Sequence, residues 1–334
     1  MDRFCELTGR APKESWKEAA RRGARWIVRK RLPDDGGRAH SGLLPAGFSA
    51  EHLGPSDYYY WDDFWGVAGL MAASRLMRRS GDEESARRFR REAEHFLAAV
   101  ERSIERAATR LGREAIPASP YRRLDAGAIG SLVAGYPLEL LSPDDARLVN
   151  TADYLIDNCF VDGGFFQDMI HSGINCYLTL HVAQVLLRAG DPRHLDLVNA
   201  VAAIASPTGQ WPEAVHPRTG GGCMGDGQHS WAASEWLVMI RNCFVREDDD
   251  ALVLAGGIPN DWLAGAEACR FGPAPTAFGD VSVSITPRPT AIIVEWQADW
   301  RRPPAQIRVQ PPGFAQVTAD ASMDRIVIQR EESK

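Results

Sequence analysis

Apolar residues recur at steps of three and four along most of the first roughly 245 residues, which restricts this part of the chain to packed helices. The plainest case starts at Asp82, where Phe89, Ala93, Phe96, Leu97, Val100 and Ile104 form one stripe behind a capping acid. Similar stripes run through about residues 13–31, 62–79, 125–135, 145–158, 173–189, 193–205 and 228–244. Gly81 and Gly190 read as glycine stops, and Asp191-Pro192 as a cap with proline at the first helical position. Polar and aromatic residues gather at Asp57–Trp65, Pro120–Gly127, Gly163–Tyr177 and Gln210–Trp236, each leading into a helix. Chemistry at the start of alternate helices predicts a mainly α fold, a toroid of helical hairpins. Its inner helices would aim their N-termini at one cavity. No exact repeat is evident, which disfavours a regular solenoid.

After about residue 250 the pattern changes. Val281-Ser282-Val283-Ser284-Ile285 alternates, Ile292-Ile293-Val294-Glu295-Trp296 is β-rich, and Ile307-Arg308-Val309 and Ile326-Val327-Ile328 follow between prolines. Four or five short strands have little core of their own, so they predict a small antiparallel β unit packed on the helical body. The expected division is 1–250 for the toroid and 251–334 for the β unit.

The 334 residues are 45% hydrophobic and 25% charged, which suits one large domain, or one large and one small. A net charge of −6 argues against a phosphate backbone as partner. The arginines of Arg87-Arg88-Phe89-Arg90-Arg91 alternate with Glu83, Glu84, Glu92 and Glu94, as on a solvated helix face. Six scattered cysteines without a Cys-x-x-Cys pair point to reduced thiols rather than a zinc ribbon or a redox site. The first residues carry Asp2, Arg3, Glu6 and Arg10 and no apolar core, and no run approaches a membrane span. The expectation is a soluble, cytoplasmic protein with no nucleic-acid or membrane partner and no cofactor.

Three constellations could carry chemistry. In Gly209-Gln210-Trp211-Pro212-Glu213-Ala214-Val215-His216-Pro217-Arg218-Thr219-Gly220, one acid sits between a Trp-Pro pair and a proline-stiffened turn. Such an acid beside tryptophans suits a sugar site, where apolar rings cover a pyranose and a carboxylate handles a proton or a water. It equally suits a structural acid that accepts hydrogen bonds from the glycine-rich turn. On the first reading Glu213 lines the main cavity with Trp211 beside it, because prolines on both sides fix its backbone. In Tyr58-Tyr59-Tyr60-Trp61-Asp62-Asp63-Phe64-Trp65 two adjacent acids stand among core-type aromatics. One acid can be structural while the other faces a ligand. In Gly163-Gly164-Phe165-Phe166-Gln167-Asp168-Met169-Ile170-His171, apolar neighbours of Asp168 would raise its pKa as a general acid requires. His171 there reads more readily as a satisfied structural histidine. His216, His229 and Asp226 match no usual zinc spacing, so no metal is expected. There is no nucleophile elbow, phosphate loop or dinucleotide fingerprint.

The segment Trp211-Pro212-Glu213 through Thr219-Gly220, followed by Gln228-His229-Ser230-Trp231-Ala232-Ala233, resembles the general-base region of glucoamylase-type enzymes, glycoside hydrolase family 15. In that family a glutamate precedes an Asp-Pro-x-Thr-Gly turn and a Thr-Trp-Ser helix start. Ser56 to Asp63 resembles the family's Tyr-x-Trp-x-Arg-Asp segment, whose aspartate binds sugar hydroxyls, although Asp62 stands where the family has arginine. Leu124-Asp125-Ala126 through Asp145 is similar to a bacterial family segment, and Gln167-Asp168 falls where the family has its general-acid glutamate. The resemblance covers about residues 40–245 and fits the wider clan of six-hairpin glycosidases better than family 15 itself. A full toroid of that clan has twelve helices, and about eight or nine are legible here, so the barrel could be incomplete in this chain.

The resemblance implies an inverting glycoside hydrolase acting on an oligo- or polysaccharide. Asp168 would be the acid and Glu213 the base, with Trp61, Asp62, Asp63, Asp125, His171, Trp211, His229 and Trp231 contacting substrate. Two other readings stay open. A lyase or epimerase on the same toroid would use His171, Asn175, Tyr177 or His229 with Arg122, Arg123 and Arg218. A glycan-binding relative would have no turnover.

Overall fold

The structure is a computed structural model, and it describes residues 1–49, 54–169, 172–225, 227–265 and 267–330. His171 and Asp226 lie outside the described residues. The chain divides into two compact units, one of residues 1–2 and 11–233, the other of residues 3–10 and 234–334. The division at 233/234 does not coincide with the one expected at 250/251.

The first unit is built of helices. Following α1 (Asp2–Thr8), which from Arg3 on belongs to the second unit, come α2 (Glu14–Lys30), α3 (Tyr60–Arg79), α4 (Glu83–Leu111), a 3-10 helix (Ala126–Ala134), α5 (Ala146–Cys159), α6 (Cys176–Arg188), α7 (His194–Ala203) and α8 (Ser230–Phe244), which from Ser234 on again belongs to the second unit. The three-residue link between α3 and α4 makes them an antiparallel hairpin, and the Asp82 carboxylate caps α4 by accepting from the Ser85 N–H at 3.1 Å. On α4 the predicted residues Phe89, Ala93, Phe96, Val100 and Ile104 are buried, while Leu97 lies half-buried at the edge of the stripe. Helix α6 is buried on every face from Cys176 to Leu187, which makes it the central helix of this unit. A short link through Ala189 to Arg193 turns the chain back into α7, which packs on α6. Residues 125–135, expected as an α-helix, form the 3-10 helix instead. Gly127 and Gly130 lower its helical propensity, and all nine of its residues are buried.

Short strands β1 (Phe160–Val161), β2 (Gly164–Phe165), β3 (Ala214–Val215) and β4 (Gly222–Met224) complete the first unit. The second unit contains two four-stranded sheets. One has the order β11 (Val317–Ala319), β10 (Gln306–Val309), β6 (Ala251–Leu254), β5 (Val245–Asp248). The other has the order β12 (Arg325–Gln329), β9 (Ala291–Trp300), β8 (Gly279–Pro287), β7 (Cys269–Pro275). The antiparallel unit expected from the sequence needs correcting, because β10 pairs with β6 in parallel. The expected boundary at 250/251 would also cut the β5–β6 hairpin. That hairpin escapes a pattern search because β5 reads Val-Arg-Glu-Asp, with charged residues that are buried or nearly so. Glu247 accepts from Arg3 at 2.8 Å, from Arg241 at 2.7 Å and from the Ala277 N–H at 2.9 Å. Burial opposes its ionisation, but the two arginines and the backbone donor outweigh burial and hold its carboxyl down at about 2.

Candidate active site

The two segments that carry Asp168 and Glu213 are bonded side by side. Ile174 and Val215 exchange both backbone hydrogen bonds at 2.8 Å, while Gln167 N–H donates to Gly173 O and Asn175 N–H donates to Phe165 O. The approach is close enough to require glycine at 173, since a Cβ there would lie 2.8 Å from Ala214 Cβ and 2.7 Å from Cys223 Sγ. Asn175 then caps α6, its side chain accepting from the Leu178 N–H at 3.0 Å.

Glu213 is half-buried between Pro212 and the buried Ala214. Gly225, at φ +64°, lies against it, and a Cβ on Gly225 would come within 2.9 Å of Glu213 Cβ and 3.1 Å of its Oε2. The carboxylate therefore occupies space left open by a residue that only glycine fills easily. Trp211, expected as a sugar-stacking surface, is 4% exposed, and its Nε1–H donates to Val201 O at 2.9 Å. The indole anchors the segment from inside, and Trp211 O in turn accepts the N–H of His229 at 2.8 Å.

Asp168 is exposed, so the apolar surround expected for it is absent. The chain alternates here: Phe165 and Gln167 point inward at 0% and 2% exposure, and Asn175 donates to Gln167 Oε1 at 3.4 Å. Asp168 falls on the outward side of this alternation.

The adjacent acids at the start of α3 divide as the sequence allowed. Asp63 is fully buried, and its Oδ1 accepts from the Leu44 N–H at 2.8 Å while Oδ2 has no partner. Burial pushes its carboxyl up to about 8. Its work is structural, tying the 40–44 turn to α3, rather than contacting substrate. Asp62 is half-buried, and desolvation alone raises it to about 6. Trp61, expected to contact substrate, is 6% exposed and packs tilted on Trp65, which is 42% exposed.

Asp125 caps the 3-10 helix through the Gly127 N–H at 2.9 Å and pairs with Arg122 at 2.7 Å, leaving it a positioning role. Arg122 also donates to Tyr59 Oη at 3.2 Å. At the end of α5, burial pushes the Cys159 thiol up to about 11, and the charges of Asp125 and Asp168 add to this shift. At the start of α8, His229 Nδ1 accepts from the Ala232 N–H at 3.4 Å, and the Trp231 ring stacks on Tyr177 at 4.3 Å. Tyr177 covers one face of Trp231. The buried ring group of Tyr136, Tyr177 and His181 behind it gives no pattern in sequence beyond that of a buried helix.

Among the described residues no group of three His, Cys, Asp or Glu side chains is gathered for a metal. No described helix is long and apolar enough to cross a membrane. A concavity of about 640 Å³ lies on the second unit, lined by residues of β7, β8, β9 and β12 with Asp324, and no predicted site residue lines it.

No family model matches this chain, and no curated protein does. Among solved structures, 24 chains match. One is a glycosidase with a single substitution, 18% identical over 59% of this chain and 55% of that one, at a TM-score of 0.43. A bacterial glucoamylase complexed with acarbose is 16% identical over 55% of this chain and 33% of that one, at 0.41. A GH78 family rhamnosidase of Bacillus sp. GL1 is 14% identical over 88% of this chain and 29% of that one, at 0.46. The chain thus spans little more than half the length of these glycosidases, or less. Likeness at this level transfers no residue role.

Proposed function

We propose that the helical unit hydrolyses glycosidic bonds with inversion, on a fold of the (α/α)6-toroid type. The observation that carries this reading is the paired backbone bonding of Ile174 and Val215, which joins the segments that carry Asp168 and Glu213. Glu213 is the base: it takes a proton from a water that attacks the anomeric carbon, and its position is held by Pro212, Ala214 and Gly225. Asp168 is the acid and protonates the leaving oxygen from the opposite face. Exposed without substrate, it relies on the bound sugar for the desolvation that keeps a general acid protonated. Inversion requires a gap of roughly 6.5–9.5 Å between the two carboxyl groups, enough for one water. Asp62 accepts hydrogen bonds from sugar hydroxyls. The substrate is a sugar chain, not an anion-rich polymer, in keeping with the net charge of −6.

The test is the anomeric configuration of the first product, read by NMR during hydrolysis of an oligosaccharide panel. Inversion with wild-type protein, and a fall in kcat of about a thousandfold or more for Glu213→Gln, is the expected result. Net retention, or an unsaturated product absorbing in the ultraviolet, overturns the assignment. One observation favours a second reading, that of a glycan-binding protein without turnover. Gln167, a neutral amide, holds the buried position beside Asn175 while Asp168 is exposed. On that reading wild type and Glu213→Gln bind glycans equally and no panel member is cleaved.

A further inference from the structure

We propose that His40, Tyr58 and Tyr121 form a platform on which a pyranose ring of an uncharged oligosaccharide stacks, a binding subsite separate from the carboxylates. The inference rests on the carbohydrate reading of the helical unit and extends it to a longer substrate.

Three separate stretches of chain bring these rings together. His40 and Tyr58 stack at 4.2 Å with an interplanar angle of 1°. Tyr121 stands edge-on to both, at 5.7 Å and 68° from His40 and at 6.1 Å and 69° from Tyr58. Its hydroxyl lies 2.6 Å from His40 Nδ1. The outcome is an L-shaped corner whose upright, Tyr121, is 50% exposed.

A surface tyrosine ordinarily loses rotamer freedom when a ligand stacks on it. Here that ordering is already present in the fold. The backbone beneath is fixed as well. Tyr60 N–H donates to Ala118 O at 3.0 Å, Ser119 Oγ donates to Asp57 Oδ2 at 2.7 Å, and Asp57 Oδ1 accepts from the Tyr58 N–H. The turn carrying His40 is held by the Leu44 N–H bond to buried Asp63. The exposed ring of Tyr121 is the kind of surface on which the C–H face of a pyranose packs, and Tyr121 Oη and His40 Nε2 can meet its hydroxyls.

The location ties the platform to the site. Tyr58 precedes Asp62, the proposed acceptor for sugar hydroxyls, by four residues. Four residues span at most about 14 Å, so one short oligosaccharide can reach from Tyr58 to Asp62. Arg122 is committed to Asp125 and Tyr59, and Asp57 to Ser119, so these two charges are spent within the protein, which favours a neutral sugar over a uronate.

The experiment is calorimetric titration of the full chain with maltoheptaose, cellohexaose and xylohexaose, alongside a reducing-end assay on the same sugars. Saturable binding of at least one sugar by wild type is expected. Tyr121→Ala should weaken it by about tenfold or more with the melting temperature unchanged, and Tyr121→Trp should retain it. Equal affinity for wild type and Tyr121→Ala, or no saturable binding of any of the three, overturns the platform. If Tyr121→Ala lowers the melting temperature, Tyr121→Trp decides: weakened binding by a stably folded Tyr121→Trp counts against the platform. The hydrolase reading fails separately, when the platform binds sugar and no reducing ends appear. Conversely, hydrolysis of long and short substrates that is indifferent to Tyr121→Ala leaves the hydrolase standing without the platform.

Discussion

Gly225 and Asp62 determine how the two most consequential carboxylates of the helical unit behave. Gly225 stands at φ +64° with Glu213 directly over its Cα, so alanine there is strained in its backbone and pushes on the carboxylate. A displacement of about 1 Å at a catalytic base costs on the order of a hundredfold in rate. Gly225→Ala is therefore expected to lower kcat by about that factor in steady-state kinetics while KM changes little. A proportionate rise in KM instead would place Glu213 in binding rather than proton transfer. Asp62 titrates at about 6 because it is desolvated. As an acceptor for sugar hydroxyls it works best ionised, so KM should fall as pH rises through about 6. Asp62→Asn should flatten that profile. Neither property was legible in the sequence. The Asp62-Asp63 pair looked equivalent until the Leu44 N–H bond showed Asp63 to be the structural member. Asp168, expected in an apolar surround, proved exposed because strand-like alternation turns Gln167 inward in its place.

At the scale of elements, legibility followed periodicity. The α4 stripe was readable because burial there repeats at helical spacing. The stretch Ala126–Ala134 was readable as apolar but not as 3-10, since buried small residues give no contrast between faces. The β5–β6 hairpin was hidden because Glu247 and Asp248 are pulled toward the interior by partners remote in sequence and Arg246 beside them is buried. The Glu213 segment presents the reverse case. Its prolines announced a fixed backbone, but the fixing also depends on Trp211, whose Nε1–H ties the segment to α7 at Val201. Trp211→Phe keeps an aromatic ring and leaves the Val201 carbonyl without that donor. A loss of about 1–2 kcal/mol is expected in urea unfolding of the helical unit. If stability is unchanged, the bond contributes nothing net and the segment is fixed by its prolines and strand pairing alone.

Over the whole molecule, the titrating groups with large shifts pull stability in opposite directions at the two ends of the pH scale. In the second unit Glu247 is held at about 2 by Arg241 and Arg3 against its burial. Its contribution is fully present above its ordinary value of 4.5 and is lost as pH falls through about 2. In the helical unit the folded state raises Asp62 to about 6 and Asp63 to about 8, from an ordinary value of 3.8. Those protonated groups favour the folded chain fully below 3.8, and the advantage disappears as pH rises to about 8. The helical unit is therefore most stable on the acid side, below about pH 4, whereas the second unit keeps the full contribution of Glu247 above 4.5. Asp63→Asn keeps an oxygen to accept the Leu44 N–H and cannot ionise, so it should remove most of the decline between pH 5 and 8. The gain at pH 8 should be up to about 5 kcal/mol, at about 1.4 kcal/mol for each of the roughly four pH units between 3.8 and about 8. Glu247→Gln should leave that decline intact and cost about 3 kcal/mol in the second unit at neutral pH, since two arginines lose their charge partner. Because the two effects belong to different compact units, the unfolding curves are to be read with separate probes rather than fitted as one transition. A wild-type helical unit equally stable at pH 5 and pH 8 would show that Asp63 keeps an ordinary carboxylate pKa, and that its buried Oδ2 has found a donor.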